Sequence, residues 1–133
     1  MAVKVDDRGV EILEGKNFCN VSTLRQDGSV HCVPVWVDVQ DGQPVLNSAE
    51  GRAWPRNLER DPRVTLTVPN MENPYEYLEV RGRVAERTHE GAEEHIDRLA
   101  KKYLGKDEYP YRQEGEQRVI IRVEPETAKV RGR

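Results

Sequence analysis

The sequence contains few reactive groups. It has two cysteines, Cys19 and Cys32. A lone pair without a secretion signal reads as two thiols rather than a disulfide. A symmetric hairpin around residues 25–29 would set Cys32 near Ser22 and leave Cys19 further along. His31, His89 and His95 show no metal-ligand spacing with one another or with the cysteines, so no metal site is expected. No acid–base pair, nucleophile or triad stands out. No run nears the ~18 apolar residues of a membrane span. Residues Met1 to Asp7 lack the apolar core of a signal peptide, so a soluble, cytoplasmic protein is expected. Internal repeats and low-complexity segments are absent. The net charge of −3 gives no global pull toward nucleic acid or an anionic membrane, so any anion site must be a local arginine cluster. Hydrophobic residues make up 36% and aromatics 6%, with a mean hydropathy of −0.83. Either the core is lean or a partner chain completes it. The length of 133 residues suits one domain, 1–133.

What is present is a series of short strands. Residues 17–24 read as a strand, Asp27-Gly28 as a hairpin turn, and 30–39 as a second strand. In that strand Val33, Val35, Val37 and Val39 share one face, and Cys32, Pro34 and Trp36 the other. Pro34 has no N–H, so it belongs at an edge or an interruption. Asp41-Gly42 makes another hairpin into a strand over 43–48. Strands follow over 63–69, with Val64, Leu66 and Val68 inward, and over 75–87, separated by a loop at 70–75. In the second, Leu78, Val80, Gly82 and Val84 face one way, and Gly82 marks a bulge or a close backbone approach. The last strand covers 117–124, with Val119, Ile121 and Val123 inward, and the tail 125–133 extends it.

Three helices are expected. A weak one spans 5–14, with Val10 and Leu13 inward and Gly15 closing it. A second begins at Pro55 and ends at Asp61-Pro62. The third covers 89–104, capped by Thr88, with Ala92, Ile96, Leu99 and Tyr103 at helical spacing and Gly105 as its stop. Six or seven strands, several joined by tight hairpins, argue for a mostly β (α+β) antiparallel barrel with a few peripheral helices.

Residues 46–58 carry the candidate site. A strand ends, a polar loop with Gly51 follows, and proline is welcome at the first position of a helix. Residues 51–54 would then sit where free backbone N–H groups and the positive end of the helix dipole gather, with Arg52 and Arg56 adding two cations. Such a junction can seat a phosphate. It can equally be an ordinary strand–loop–helix turn with two surface arginines.

The chain resembles the split β-barrel flavin and deazaflavin oxidoreductases of the pyridoxamine 5′-phosphate oxidase-like superfamily. It is most similar to the branch that binds the deazaflavin coenzyme F420. The matching pieces are residues Ser22 to Ser29, Val33 to Trp36, Gly51 to Leu58, Asp61 to Val64, Glu79 to Arg83 and Leu99 to Gly105, in that order. The resemblance implies a single FMN-binding-type split barrel and a homodimer with cofactor sites at the interface. The cofactor would be F420, or alternatively FMN. The reaction would be hydride transfer to or from an unsaturated or quinone-like small molecule. It also implies that Arg52 and the backbone around Ala53 and Trp54 hold the phosphate, supported by Arg56 and Asn57. Ser48 and Ala49 would line the phosphate and ribityl path, and Val35 and Trp36 would meet the ring. Many relatives carry a phosphate-contacting lysine where this chain has Trp54. Trp54 offers one indole N–H instead, or serves as a core anchor for its helix. His31, Tyr77 and Tyr111 are the groups considered as proton donors, and packing or exposed positions suit them as well. Arg25, Arg52, Arg56, Arg60 and Arg63 are considered for the coenzyme's acidic tail. A non-catalytic module that sequesters a planar ligand is the reading from another class. Nothing in loops 70–75 and 106–116 names a substrate.

Overall fold

The computed structural model describes residues 2–132. In chain order its elements are α1 (Asp7–Glu14), β1 (Cys19–Leu24), β2 (Val30–Val35), β3 (Asp38–Gln40), β4 (Gln43–Ala49), α2 (Ala53–Arg60), β5 (Arg63–Asn70), β6 (Asn73–Thr88), α3 (Ala92–Leu104) and β7 (Arg118–Arg131). All seven strands form one antiparallel sheet in the order β2-β1-β5-β6-β7-β4-β3. Among the described residues no helix is long and apolar enough to cross a membrane.

The turn chemistry sets the first hairpin. Gly28 takes a positive φ of 87°, and the Asp27 carboxylate accepts from the Ser29 N–H (2.9 Å) and hydroxyl (2.6 Å). The resulting register pairs Ser22 with Cys32 and Cys19 with Val35, and both thiols are free.

The expected strand over 30–39 is two strands. β2 pairs with β1, whereas β3 pairs with β4 at the opposite edge of the sheet. Only Trp36 and Val37 separate them. Three Cα–Cα steps of 3.8 Å limit the distance from Val35 to Asp38 to about 11 Å. The first and last strands of the sheet must therefore lie side by side, which curls the sheet into a barrel with an unpaired seam. Pro34 lies on β2, an edge strand, as its missing N–H requires.

Inside the barrel Val21, Leu46, Leu66, Val80 and Ile121 are fully buried, joined by Ile12 and Leu13 of α1 and Trp54 and Leu58 of α2. Each such side chain contributes roughly 1.5–3 kcal/mol of transfer free energy before chain entropy is subtracted. A second cluster of Ile96, Leu99 and Tyr103 on α3 packs with Trp36 and Tyr109. β4 is therefore covered on both faces, and every residue from Pro44 to Ala49 is buried.

Several boundaries differ from the sequence reading. Gly9 and Ile12 are buried with Leu13 on α1, and Val10 is only partly covered. The loop expected at 70–75 is a turn at Met71 and Glu72, because β5 and β6 continue to Asn70 and from Asn73. α3 starts at Ala92 rather than after Thr88. Thr88 still pairs with Ile120 in the sheet, and Gly91 turns the chain at a φ of 77°. β7 runs on to Arg131, so the tail does extend the last strand. Residues 1 and 133, the ends of the expected domain, lie outside the described residues.

Candidate functional site

A cleft of about 270 Å³ opens where the seam, the end of β4, the start of α2 and the loop before β7 converge. Its apolar side is built on Trp36. That indole stacks on Tyr103 at 5.2 Å between centroids and 5° between planes, and Tyr109 meets it edge-on at 5.9 Å. Tyr111 in turn packs edge-on against Tyr109, and Phe18 tilts against Tyr103. Pro34, Val35, Trp54 and Ile96 complete this slot.

The backbone at Trp36–Val37 is fixed from α3. The Tyr103 hydroxyl accepts from the Val37 N–H (3.1 Å) and donates to the Asn17 carbonyl (2.5 Å). Lys102 Nζ donates to the carbonyls of Leu13 (2.6 Å) and Val37 (2.7 Å). Burial pushes the Tyr103 hydroxyl up to about 12 and the Lys102 ammonium down. Asp38 partly opposes the second shift.

The other end of the cleft is polar and cationic. Ser48 Oγ is buried and has no hydrogen-bond partner among the described residues. A buried polar atom without a partner costs about 1–3 kcal/mol, so its place beside a cleft points to a ligand group. α2 begins at Ala53, with Arg52 as N-cap residue and no side-chain capping bond. The Ala53 and Trp54 amides have no partner among the described residues, as the first turn of a helix leaves them. The helix does not start at Pro55. Proline occupies the third position, where a missing N–H is as harmless as at the first, so the free amides belong to the first turn itself.

Two guanidinium groups line this end. Arg118 is buried, with Nε donating to Asn47 Oδ1 and Nη1 to Glu116 Oε1, both at 3.0 Å, and it lies 5.1 Å from the Tyr109 ring centroid. Arg52 is half-exposed and reaches only Glu116 Oε2, at 3.5 Å. Asn47 also donates to the Ala92 carbonyl and to His95 Nδ1, both at 3.0 Å. That contact places the His95 proton on Nε2, 3.3 Å from Asp38 Oδ2. This separation is within ion-pair reach but out of line for a full hydrogen bond. Desolvation would raise the Asp38 carboxyl, but His95, the Val39 N–H and Lys102 together hold it below its ordinary value.

Of the residues singled out in the sequence, Val35, Trp36, Ser48, Arg52 and Trp54 line this cleft. Ala49 and Ala53 neighbour it in the chain, and Ala49 is buried. Trp54 is also a buried member of the barrel core, so it anchors its helix as well. Arg56 lines a separate shallow depression with Glu50, Glu59 and Arg60. Asn57 is buried and donates to Thr23 Oγ1 at 3.0 Å, tying α2 to β1. Arg25, Arg60 and Arg63 are held by Val30 O, Leu24 O and Asp61 respectively. Tyr77 pairs with Pro69 and Arg131 and His31 with Thr23, so Tyr111 is the one considered proton donor on the cleft. Asn47, Tyr109, Glu116 and Arg118 were not singled out. Arg118 alternates with the inward Val119 and Ile121 and reads as a solvent-facing strand residue. The available signal lay in β4, where Val45, Leu46 and Ala49 are apolar on both parities and announce a second covering layer.

Residues 5–132 match the family model described as pyridoxamine 5′-phosphate oxidase. A search of curated proteins returns no match. Among solved structures, an F420 reductase superposes with a TM-score of 0.80 at 26% identity, covering 94% of this chain and 98% of its own. A conserved hypothetical protein from Mycobacterium tuberculosis gives 0.75 at 20% identity, covering 98% and 86%. The General Stress Protein 26 from Bacillus anthracis gives 0.68 at 18%, covering 93% and 91%. The last two likenesses concern the fold alone.

Proposed function

The chain belongs to the pyridoxamine 5′-phosphate oxidase family, and on that premise we propose that it is an oxidoreductase that binds coenzyme F420 in the cleft. Hydride would pass between the reduced deazaflavin and an unsaturated or quinone-like small molecule. The observation that carries this reading is the unpartnered, buried Ser48 Oγ at the cationic end of an aromatic slot. It lies among the features a phosphate needs: Arg52 and the free amides of Ala53 and Trp54. Val35 and Trp36 would meet the ring, Ser48 and Ala49 the ribityl and phosphate path, and Arg56 would act at longer range from its own depression. A bound deazaflavin or flavin supplies the hydride chemistry. The chain's own part is to orient the ring against Trp36, bind the phosphate and exclude water. Likeness to an F420 reductase over nearly the whole chain favours the deazaflavin. FMN is the second reading, because the same slot and phosphate seat would accept its planar ring and monoester.

We further propose a homodimer. Within one chain this cleft holds about 270 Å³, below the ~300–1,000 Å³ of ordinary ligand pockets. Phe18 and Tyr111 stand exposed at the rim, where a second chain would complete the wall. The Trp54 departure supports a third reading, a sequestering module without turnover. Titration with F420 and with FMN, followed by assays with quinone and enone acceptors, separates the three. Binding of F420 with oxidation of the reduced coenzyme supports the first reading. Binding of FMN alone supports the second, and binding without turnover of any acceptor supports the third.

A further inference from the structure

Glu116 occupies the place of an anion. Its carboxylate bridges the two arginines of the cleft, with Oε1 at 3.0 Å from Arg118 Nη1 and Oε2 at 3.5 Å from Arg52 Nη2. The Glu116 side chain is 7% exposed and that of Arg118 is 2%, so this carboxylate is an internal counter-ion rather than a solvated surface charge. The two contacts are unequal. The bond to Arg118 is the shorter and the better covered of the two. The one to Arg52 is at the limit of a hydrogen bond, and Arg52 is half open to water. A ligand can therefore take Arg52 away from Glu116 without disturbing the pair beneath it.

The carboxylate also sets the charge of the seat. Two guanidinium groups and one carboxylate leave a single net positive charge. A phosphodiester carries a single negative charge. A phosphomonoester carries about −1.5 to −2 at pH 7 and would place its extra charge against Glu116. We propose that Glu116 is a specificity-determining residue that makes the seat prefer the phosphodiester of F420 over the phosphomonoester of FMN. It acts by like-charge exclusion rather than by an added contact. This rests on the reading of the cleft as a cofactor site.

The test is a binding comparison on the full chain. Dissociation constants for F420, FMN and phosphate-free riboflavin are measured for the wild type, Glu116→Gln and Glu116→Asp. Thermal melts first confirm that each variant is folded, and Glu116→Ala replaces the Gln variant if that one does not fold. Removing the charge is expected to tighten FMN by about tenfold relative to both riboflavin and F420, the scale of one charge-assisted hydrogen bond. Glu116→Asp keeps the charge and should keep the wild-type ratios. FMN-to-riboflavin and FMN-to-F420 ratios that stay the same in the neutral variants overturn the role of Glu116 and leave the cofactor site standing. Absence of binding by F420 and FMN in every variant overturns the cofactor reading, and this inference with it.

Discussion

Trp36 lies flat on Tyr103, with ring centroids 5.2 Å apart and planes 5° from parallel. The same tyrosine uses its hydroxyl twice, accepting from Val37 N–H and donating to the Asn17 carbonyl. One α3 side chain thus ties the β2–β3 link to the segment ahead of β1 and supports the wall of the cleft. The stack adds about 0.5–1.5 kcal/mol to the area it buries.

Tyr103→Phe should keep the stack and lose the two hydrogen bonds. It leaves a buried N–H and a carbonyl unpaired, at a cost of about 1–3 kcal/mol. The midpoint of urea unfolding should fall by the corresponding amount, while cofactor affinity changes little. Tyr103→Leu should also loosen Trp36 and weaken cofactor binding. Equal binding by both variants would show that Tyr103 does not position the indole.

Arg52 and Arg60 separate a binding arginine from a structural one. Arg52 has one long contact, to Glu116, whereas Arg60 donates to the Leu24 carbonyl (2.9 Å) and to Asn57 Oδ1 (3.1 Å). Arg52→Ala should weaken binding of a phosphate-bearing cofactor by about 1.5–3 kcal/mol and barely move the melting temperature. Arg60→Ala should do the reverse. Isothermal titration and thermal melts on the same samples check both.

Much of the barrel was legible in the sequence because its signals are local. Asp27-Gly28 fixes the first hairpin register, and single-face alternation in Val64, Leu66 and Val68 marks a strand with one covered side. The seam was not legible. Valines at 33, 35, 37 and 39 keep period two straight through it, and only the pairing of β3 with β4 breaks the run. Half of the candidate site was hidden for a related reason. Arg118 and Asn47 gain their roles from α3 lying over the outer face, a contact between distant parts of the chain that no local pattern records.

Gly82 is needed for close approach. A Cβ there would collide with the carbonyl oxygen of Glu124, at a point where the β6–β7 register shifts. Gly82→Ala should destabilise the fold by about 1–3 kcal/mol through overpacking. A denaturation curve with unchanged slope and a lowered midpoint is the expected result.

Acid should loosen the contact between α1 and β6. Arg8 forks onto Glu76 through Nε (2.9 Å) and Nη2 (2.6 Å), and Asn70 Nδ2 adds a third bond at 3.0 Å. These bonds, Arg8 foremost, hold the Glu76 carboxyl at about 2, against an ordinary 4.5. A depressed carboxyl gives stability that is fully present above its unfolded value and is lost as pH falls through the folded one. The loss therefore spans roughly pH 4.5 down to 2. Glu76→Gln should flatten the fall in stability across that window by lowering stability at neutral pH, and should change little below pH 2.

The central claim is that the cofactor ring lies in the cleft, and the two tryptophans report on it directly. Trp36 and Trp54 are the only tryptophans of the chain, and both line that cleft. Titration of the purified protein with F420, and in parallel with FMN, should quench most of the tryptophan emission and saturate at one cofactor per chain. Saturable binding that leaves the emission unchanged, or no saturable binding of either cofactor, would contradict the account.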